Sequence, residues 1–304
     1  MSDPALMVHG GAWDIPPAER PSHAEGCRQA AAEGGRILAA GGSALDAVVA
    51  AVTLMERSGI FDAGSGSVLN SDGVVEVDAG LMDGASLRIG AVAAMPRTLH
   101  PIRVARLLMD ESETSFLVGE GAVRFAAERG IPAVSPESLI HPRERDRYES
   151  LKLERSNVRR AFAGPAAADR PRGTVGAVAR DAKGGLAAGC STGGTPFKPP
   201  GRVGDTPVVG SGFFADLHWG AAACTGFGET ILKVQLARLA CERLVPAGSA
   251  DAAALEAIGA LATRAGGFGG LLLIGPYGRP AVRWNTPTMA FGCWNSEGVE
   301  ADCP

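Results

Sequence analysis

Gly173-Thr174-Val175-Gly176-Ala177-Val178-Ala179 is a run of small and β-branched residues with a threonine at its head. Such residues suit the pleated, half-buried surface of a sheet, so the run reads as a strand. A threonine in that place has two readings. It is an ordinary strand residue, or it is a stored nucleophile. In the second reading the Gly173–Thr174 bond is cut, and Thr174 gains a free α-amine beside its own hydroxyl. An α-amine titrates near ~7.7–8.0, so it is partly neutral at pH 7 and can act as the base that activates that hydroxyl. The run alone leaves both readings open.

The stretch before it, residues 142–172, is unlike the rest of the chain. It holds nine Lys/Arg against five Asp/Glu and ends in Ala163-Gly164-Pro165-Ala166-Ala167-Ala168. This reads as a charged helical piece fading into a linker over about 150–173. A nucleic-acid-binding arm is the alternative. Tyr148 is the single aromatic before the run thins out, and the acids dilute the charge, which argues against it.

Composition narrows the classes. With 304 residues, 46% of them hydrophobic, the chain can bury a large core, and 1–304 reads as a single domain. A net charge of −4 gives no reason to expect nucleic acid or an anionic membrane as partner. No apolar stretch reaches the ~18 residues of a membrane helix. Met1-Ser2-Asp3-Pro4 does not open a signal peptide. Six cysteines without a CxxC pair and five histidines without metal-ligand spacing predict free thiols, a cytoplasmic location and no metal site. No glycine-rich stretch has the full form of a nucleotide-binding loop, so no cofactor is expected.

Further pattern reading predicts a strand over 6–9, a helix over about 22–40, and a second helix to Arg57 opened by Ser43-Ala44-Leu45-Asp46. It then predicts strands over 68–70 and 74–78 joined by Ser71-Asp72-Gly73, a strand over 87–94, and helices near 101–109 and 118–129. After the linker come strands over 174–180, 185–190 and 220–224, helices over 229–243 and 251–264, and strands over 271–274 and 281–284. Strands in both halves with helices grouped apart predict an α+β fold, with sheets layered between helices.

Three further blocks carry polar chemistry. Gly189-Cys190-Ser191-Thr192-Gly193 matches the G-x-S-x-G nucleophile elbow, but the residues that follow it, through Pro199-Pro200-Gly201, cannot open a helix. It reads better as a strand that ends with hydroxyls at a loop. Arg202-Val203-Gly204-Asp205 is either a structural turn or a clamp, since an Arg fork suits a carboxylate and Asp suits an ammonium. Thr225-Gly226-Phe227-Gly228-Glu229 is either a plain helix entry or a set of donors for an oxyanion.

Taken in order, these segments resemble the plant-type asparaginase / isoaspartyl peptidase family of N-terminal-nucleophile hydrolases. The matching pieces are Val8-His9-Gly10-Gly11-Ala12, Phe61-Asp62-Ala63-Gly64, Met82-Asp83-Gly84, Gly119-Glu120-Gly121-Ala122, the run from Gly173, Ser191-Thr192-Gly193-Gly194, Gly201-Arg202-Val203-Gly204-Asp205, Thr225-Gly226-Phe227-Gly228-Glu229 and Trp284-Asn285-Thr286. The resemblance implies a four-layer αββα sandwich that cleaves itself before Thr174. It implies an α subunit of 1–173, a β subunit of 174–304, and a homodimer of such αβ units. By the same resemblance Thr174 is the nucleophile and Thr192 tunes it. Arg202 and Asp205 hold the substrate's α-carboxylate and α-ammonium with Gly228 nearby, and Thr225 with Gly226 stabilises the oxyanion. The implied reactions are hydrolysis of L-asparagine and of β-aspartyl dipeptides. Some members bind a structural monovalent cation through carbonyls near 57–65.

Two positions depart from that family's pattern. Asp62 stands where Asn is usual, and Phe227 where a smaller or polar residue is usual. An extra carboxylate at Asp62 would act on the substrate's own carboxylate. Two other functions fit less well. A glycosylasparaginase typically has His-Asp before the nucleophile, whereas this chain has Arg172-Gly173. A catalytically weak member with a binding role would rest on Asp62 and Phe227.

Overall fold

The structure, a computed structural model, describes residues 3–154 and 173–304. Its larger sheet has eight strands. In chain order they are β1 (Ala5–Trp13), β2 (Glu76–Asp83), β3 (Ile89–Pro96), β4 (Phe116–Val118), β5 (Val175–Arg180), β6 (Leu186–Thr192), β11 (Thr288–Asn295) and β12 (Gly298–Asp302). In space they run β12-β11-β1-β5-β6-β2-β3-β4. Every pair is antiparallel except β3 with β4. The smaller sheet is β10 (Ala281–Trp284), β9 (Gly269–Ile274), β8 (Gly220–Gly226) and β7 (Phe213–Asp216), in that spatial order.

Side chains alternate across a strand, so the two faces of the larger sheet can be read separately. Leu6, Val8, Val175, Ala177 and Ala179 join a core with helices α1 (Arg20–Ala39), α2 (Ala44–Arg57) and α3 (Pro101–Glu111). Ala5, Met7, Val178, Leu186 and Ala188 join a second core. That core holds the smaller sheet and helices α7 (Gly228–Val234), α8 (Leu236–Ala247) and α9 (Ala250–Ala265). Both faces of the central strands are therefore dry, and β5 is buried along its whole length. The layers are helix, sheet, sheet, helix. Leu271 to Leu273 of β9 are fully buried, each contributing about 1.5–3 kcal/mol by leaving water. Sheet-to-sheet contact relies on small residues. A Cβ on Gly80 of β2 would lie 2.0 Å from the Phe213 ring, which fills that space from β7.

Several boundaries differ from the sequence reading. The first strand continues through Gly10-Gly11 to Trp13, with a register shift between His9 and Ala12. Residues 68–70 are not a strand. Asn70 Oδ1 accepts from the Asp72 and Val74 N–H groups at 3.0 Å each, so a side chain takes bonds a ladder would use. The helix expected over 229–243 is two helices, broken at Gln235 (φ 51°). The break lets the start of α8 donate from Ala237 and Arg238 to Ser211 O and Gly210 O. The short elements α4 (Gly119–Ala127), α5 (Pro136–Leu139) and α6 (Pro142–Glu154) cover the rest of the first half. Ser43 caps α2 as its sequence predicts, accepting from Asp46 N–H at 3.1 Å. Most of the expected linker, residues 155–172, lies outside the described residues.

Candidate active site

Thr174 precedes β5 in the middle of the larger sheet. Val175 pairs with Ser191, so Thr174 comes next opposite Thr192 at the end of β6. The Thr174 hydroxyl donates to Thr192 Oγ1 at 3.0 Å. Thr192 Oγ1 also accepts from Gly194 N–H at 3.0 Å. On the other side, His9 of β1 lies with Nδ1 3.0 Å from Thr174 O. Burial pushes the His9 imidazole down to about 3, so the ring is neutral near pH 7. A carbonyl only accepts, so Nδ1 carries the ring proton and donates it. The peptide that follows the candidate nucleophile is thus held from β1, and its hydroxyl from β6.

The smaller sheet brings Thr225 and Gly226 to the same end. Cys190 Sγ donates to Gly212 O at 3.2 Å, and Cys224 N–H donates to that oxygen at 2.8 Å. Cys190 lies two residues before Thr192, and Cys224 one before Thr225, so Gly212 pins the two sheets beside the site. Thr225 is buried, and its Oγ1 has no hydrogen-bond partner among the described residues.

Arg202 and Asp205 share one corner with α7. A Cβ on Gly228 would lie 2.6 Å from Asp205 Oδ1 and 3.1 Å from Arg202 Nη2. Arg202 donates through Nε and Nη2 to Glu229 Oε1 at 2.9 and 2.7 Å. Burial pushes the Asp205 carboxyl up to about 7, against the opposing Arg202 cation. Its Oδ2 has no partner among the described residues. The Asp205 charge also acts on Cys190 and Cys224, which places it over the join between the sheets. Unpaired buried groups are rare in folded proteins, and beside a candidate nucleophile they mark what a ligand would satisfy. Thr225 Oγ1 can donate to an oxygen, Asp205 can accept from an ammonium, and Arg202 can pair with a carboxylate.

Asp62 sits elsewhere. It is fully buried, with Oδ1 accepting from Val68 N–H at 3.0 Å and its own carbonyl accepting from Gly193 N–H at 3.1 Å. Burial pushes its carboxyl up to about 7. The charges acting on it are Glu144, Lys198 and Arg147, not those of the Arg202–Asp205 corner. Asp62 therefore lies behind the Thr192–Gly193 turn. Phe227 is half-buried at the start of α7, its N–H donating to Phe268 O at 2.9 Å.

Four residues that lie against these strand ends were not singled out by sequence reasoning. His9 and Gly11 lie in a quoted block, but nothing in it pointed to Thr174. Asp78 is a carboxyl residue inside the buried strand β2, at the alternate positions that face the smaller sheet, and that anomaly was a usable signal. Lys198 is fully buried within a Gly/Pro-rich loop, where a lysine is ordinarily exposed.

The family described as Asparaginase matches residues 2–302. Among curated relatives, the isoaspartyl peptidase/L-asparaginase of Rattus norvegicus is 44% identical over 299 residues, 97% of this chain and 87% of that protein. The protein of the same name from Homo sapiens is 41% identical over 288 residues, covering 94% and 92%. That of Xenopus laevis is 41% identical over 288 residues, covering 95% and 91%.

Proposed function

From the premise that this chain belongs to the asparaginase family, we propose that it is an amidohydrolase with an N-terminal threonine nucleophile. It hydrolyses L-asparagine to aspartate and ammonia, and it cleaves β-aspartyl dipeptides. The observation that carries the reading is the 3.0 Å hydrogen bond between Thr174 Oγ1 and Thr192 Oγ1 at the ends of β5 and β6. The relatives' shared name supports the two substrates.

The chemistry runs in two stages. First, Thr174 Oγ1 attacks the Gly173 carbonyl carbon, and the peptide bond becomes an ester that water hydrolyses. Thr174 then has a free α-amine. In turnover that amine takes the Oγ1 proton as Oγ1 adds to the substrate's side-chain carbonyl. The Thr225 hydroxyl and Gly226 N–H stabilise the oxyanion. The amine returns the proton to the leaving ammonia or amino acid, and water hydrolyses the threonine ester. Arg202 takes the α-carboxylate and Asp205 the α-ammonium, with Gly228 leaving room for both.

A structural monovalent cation is part of the proposal. Gly59 O and Phe61 O both lie close to Gly66, each 2.9 Å from where a Cβ there would sit. Hard carbonyl oxygens of this kind fit such an ion. No step of the reaction runs through it. A cytoplasmic location and a homodimer of αβ units complete the proposal. Six unpaired cysteines support a reducing compartment.

The test is intact mass followed by assay. Incubated protein should give two fragments, the second beginning at Thr174. It should then release ammonia from L-asparagine and aspartate from β-aspartyl dipeptides, while Thr174→Ala does neither. Cleaved protein that releases neither product would overturn the reading.

A further inference from the structure

Lys198 is fully buried, and a buried ammonium is costly unless charge and hydrogen bonds compensate it. Its Nζ donates to Glu76 O on β2 at 3.0 Å. A Cβ on Gly194 would lie 3.0 Å from both Lys198 Cδ and Nζ. The lysine therefore runs beneath Gly194, whose N–H donates to Thr192 Oγ1.

Asp78 faces the same turn. It pairs with Thr192 across β2 and β6, and opposed residues of an antiparallel pair share one face. That face is turned to the smaller sheet, because Gly80 and Met82, the alternate residues of β2, meet Phe213 and the second core. Thr174, Thr192 and Asp78 thus form one row across β5, β6 and β2. Asp78 is fully buried, and its Oδ1 accepts from Ala94 N–H at 2.7 Å. Its Oδ2 has no hydrogen-bond partner among the described residues. Burial pushes the Asp78 carboxyl up, and the Lys198 cation opposes that, with Arg202 behind.

We propose that Asp78 and Lys198, two buried groups of opposite charge that flank the Thr192–Gly194 turn without touching each other, position Thr192, and through it Thr174, for the reaction. The proposal rests on the reading of Thr174 as nucleophile. Thr192 Oγ1 already accepts from Gly194 N–H and from the Thr174 hydroxyl, so its own proton points away from both. The Asp78 carboxylate, opposite Thr192 in the row, makes no hydrogen bond to it and biases that proton through its charge. Lys198 compensates the carboxylate and ties the Gly194 turn to β2. Together they set the direction of the hydrogen bond between the two threonines. Both are positioning residues, since neither touches the reacting atoms.

Lys198→Met, Asp78→Asn and the double variant, assayed beside wild type, test the pair. Each single variant is expected to lower kcat on L-asparagine by about 10–100-fold with KM within about twofold, because a misaimed Thr192 affects reaction and not the substrate clamp. Self-cleavage should slow in parallel. The double variant is again neutral in sum, so it should lose less than the product of the two single losses. A folded single variant with kcat within about twofold of wild type overturns the pair, as do losses that simply multiply. If Lys198→Met does not accumulate as folded protein, Asp78→Asn and the neutral double variant decide by the same kcat criterion. If wild type turns over neither substrate, the functional reading falls, and the pair is judged on Gly173–Thr174 cleavage alone. A wild-type chain that does neither overturns both.

Discussion

The backbones of Gly11 and Gly173 lie against each other. A Cβ on Gly11 would sit 2.3 Å from Gly173 Cα, and one on Gly173 would sit 2.1 Å from Gly11 Cα. Gly11 also has φ +103°, a region that side chains disfavour. The register shift in β1 between His9 and Ala12 produces this approach. The same strand supplies His9 to Thr174 O. β1 therefore grips the residues on both sides of the proposed scissile bond.

Gly11→Ala should displace Gly173. An ångström of misplacement at a reacting bond can cost about a hundredfold, so self-cleavage should slow by at least tenfold on that scale. The precursor's Tm should drop by several degrees. Intact mass over time and thermal unfolding check both. A variant that matures at the wild-type rate would mean that the Gly11–Gly173 contact does not align the bond.

Thr225→Val keeps the size and branching of the side chain and removes the hydroxyl. Its Oγ1 has no partner among the described residues, so the folded protein loses no hydrogen bond and Tm should hold. Turnover should fall by about 10²–10³, the usual effect of one oxyanion donor. Steady-state kinetics on L-asparagine decide it. A variant with normal kcat would remove Thr225 from the oxyanion site.

Much of this arrangement was legible in the sequence, and the reason is physical. Thr174, Thr192, Arg202, Asp205 and Thr225 sit where strands end in glycine-rich loops, and such junctions announce themselves by composition. The layering was legible because β5 and β6 are short apolar runs flanked by turns. What could not be read is what depends on register and on long-range packing. Asp78 reaches its place because β2 pairs with β6, more than a hundred residues away. Gln235 breaks a helix because α8 docks on the 210–211 loop, which no local propensity encodes. The strands β4, β7, β11 and β12 were missed because their residues make sense only as partners of strands already in place.

Asp62→Asn tests the first of the two departures from the family pattern. A carboxylate beside the substrate should change KM. Asp62 instead accepts from Val68 N–H and lies behind Gly193. The amide keeps that bond and spares the protein a buried carboxylate. KM for L-asparagine should stay within about twofold, since the Arg202–Asp205 clamp is untouched. Tm at pH 8 should rise. A change in KM of tenfold or more, read against that baseline, would place Asp62 at the substrate after all.

Asp205 makes a pH prediction with a definite sign. Its carboxyl is raised from 3.8 to about 7 in the folded, ligand-free protein. Only the ionised form pairs with an α-ammonium, so kcat/KM should rise with pH through about 7, falling about tenfold per unit below it. Stability runs the other way. Between about 3.8 and about 7 the folded state holds a proton that the unfolded state has released. The favourable contribution is therefore present at low pH and lost as pH rises through about 7. The free enzyme should melt lower at pH 8 than at pH 5, and L-aspartate should raise Tm more at pH 8, where its ammonium meets an anion. Asp205→Asn should remove both effects and lower kcat/KM throughout. The Thr174 α-amine titrates in a neighbouring range, so wild type should show a composite limb. Its amine component should survive the substitution, whereas a low-pH limb left unchanged in Asp205→Asn would assign the titration to another group.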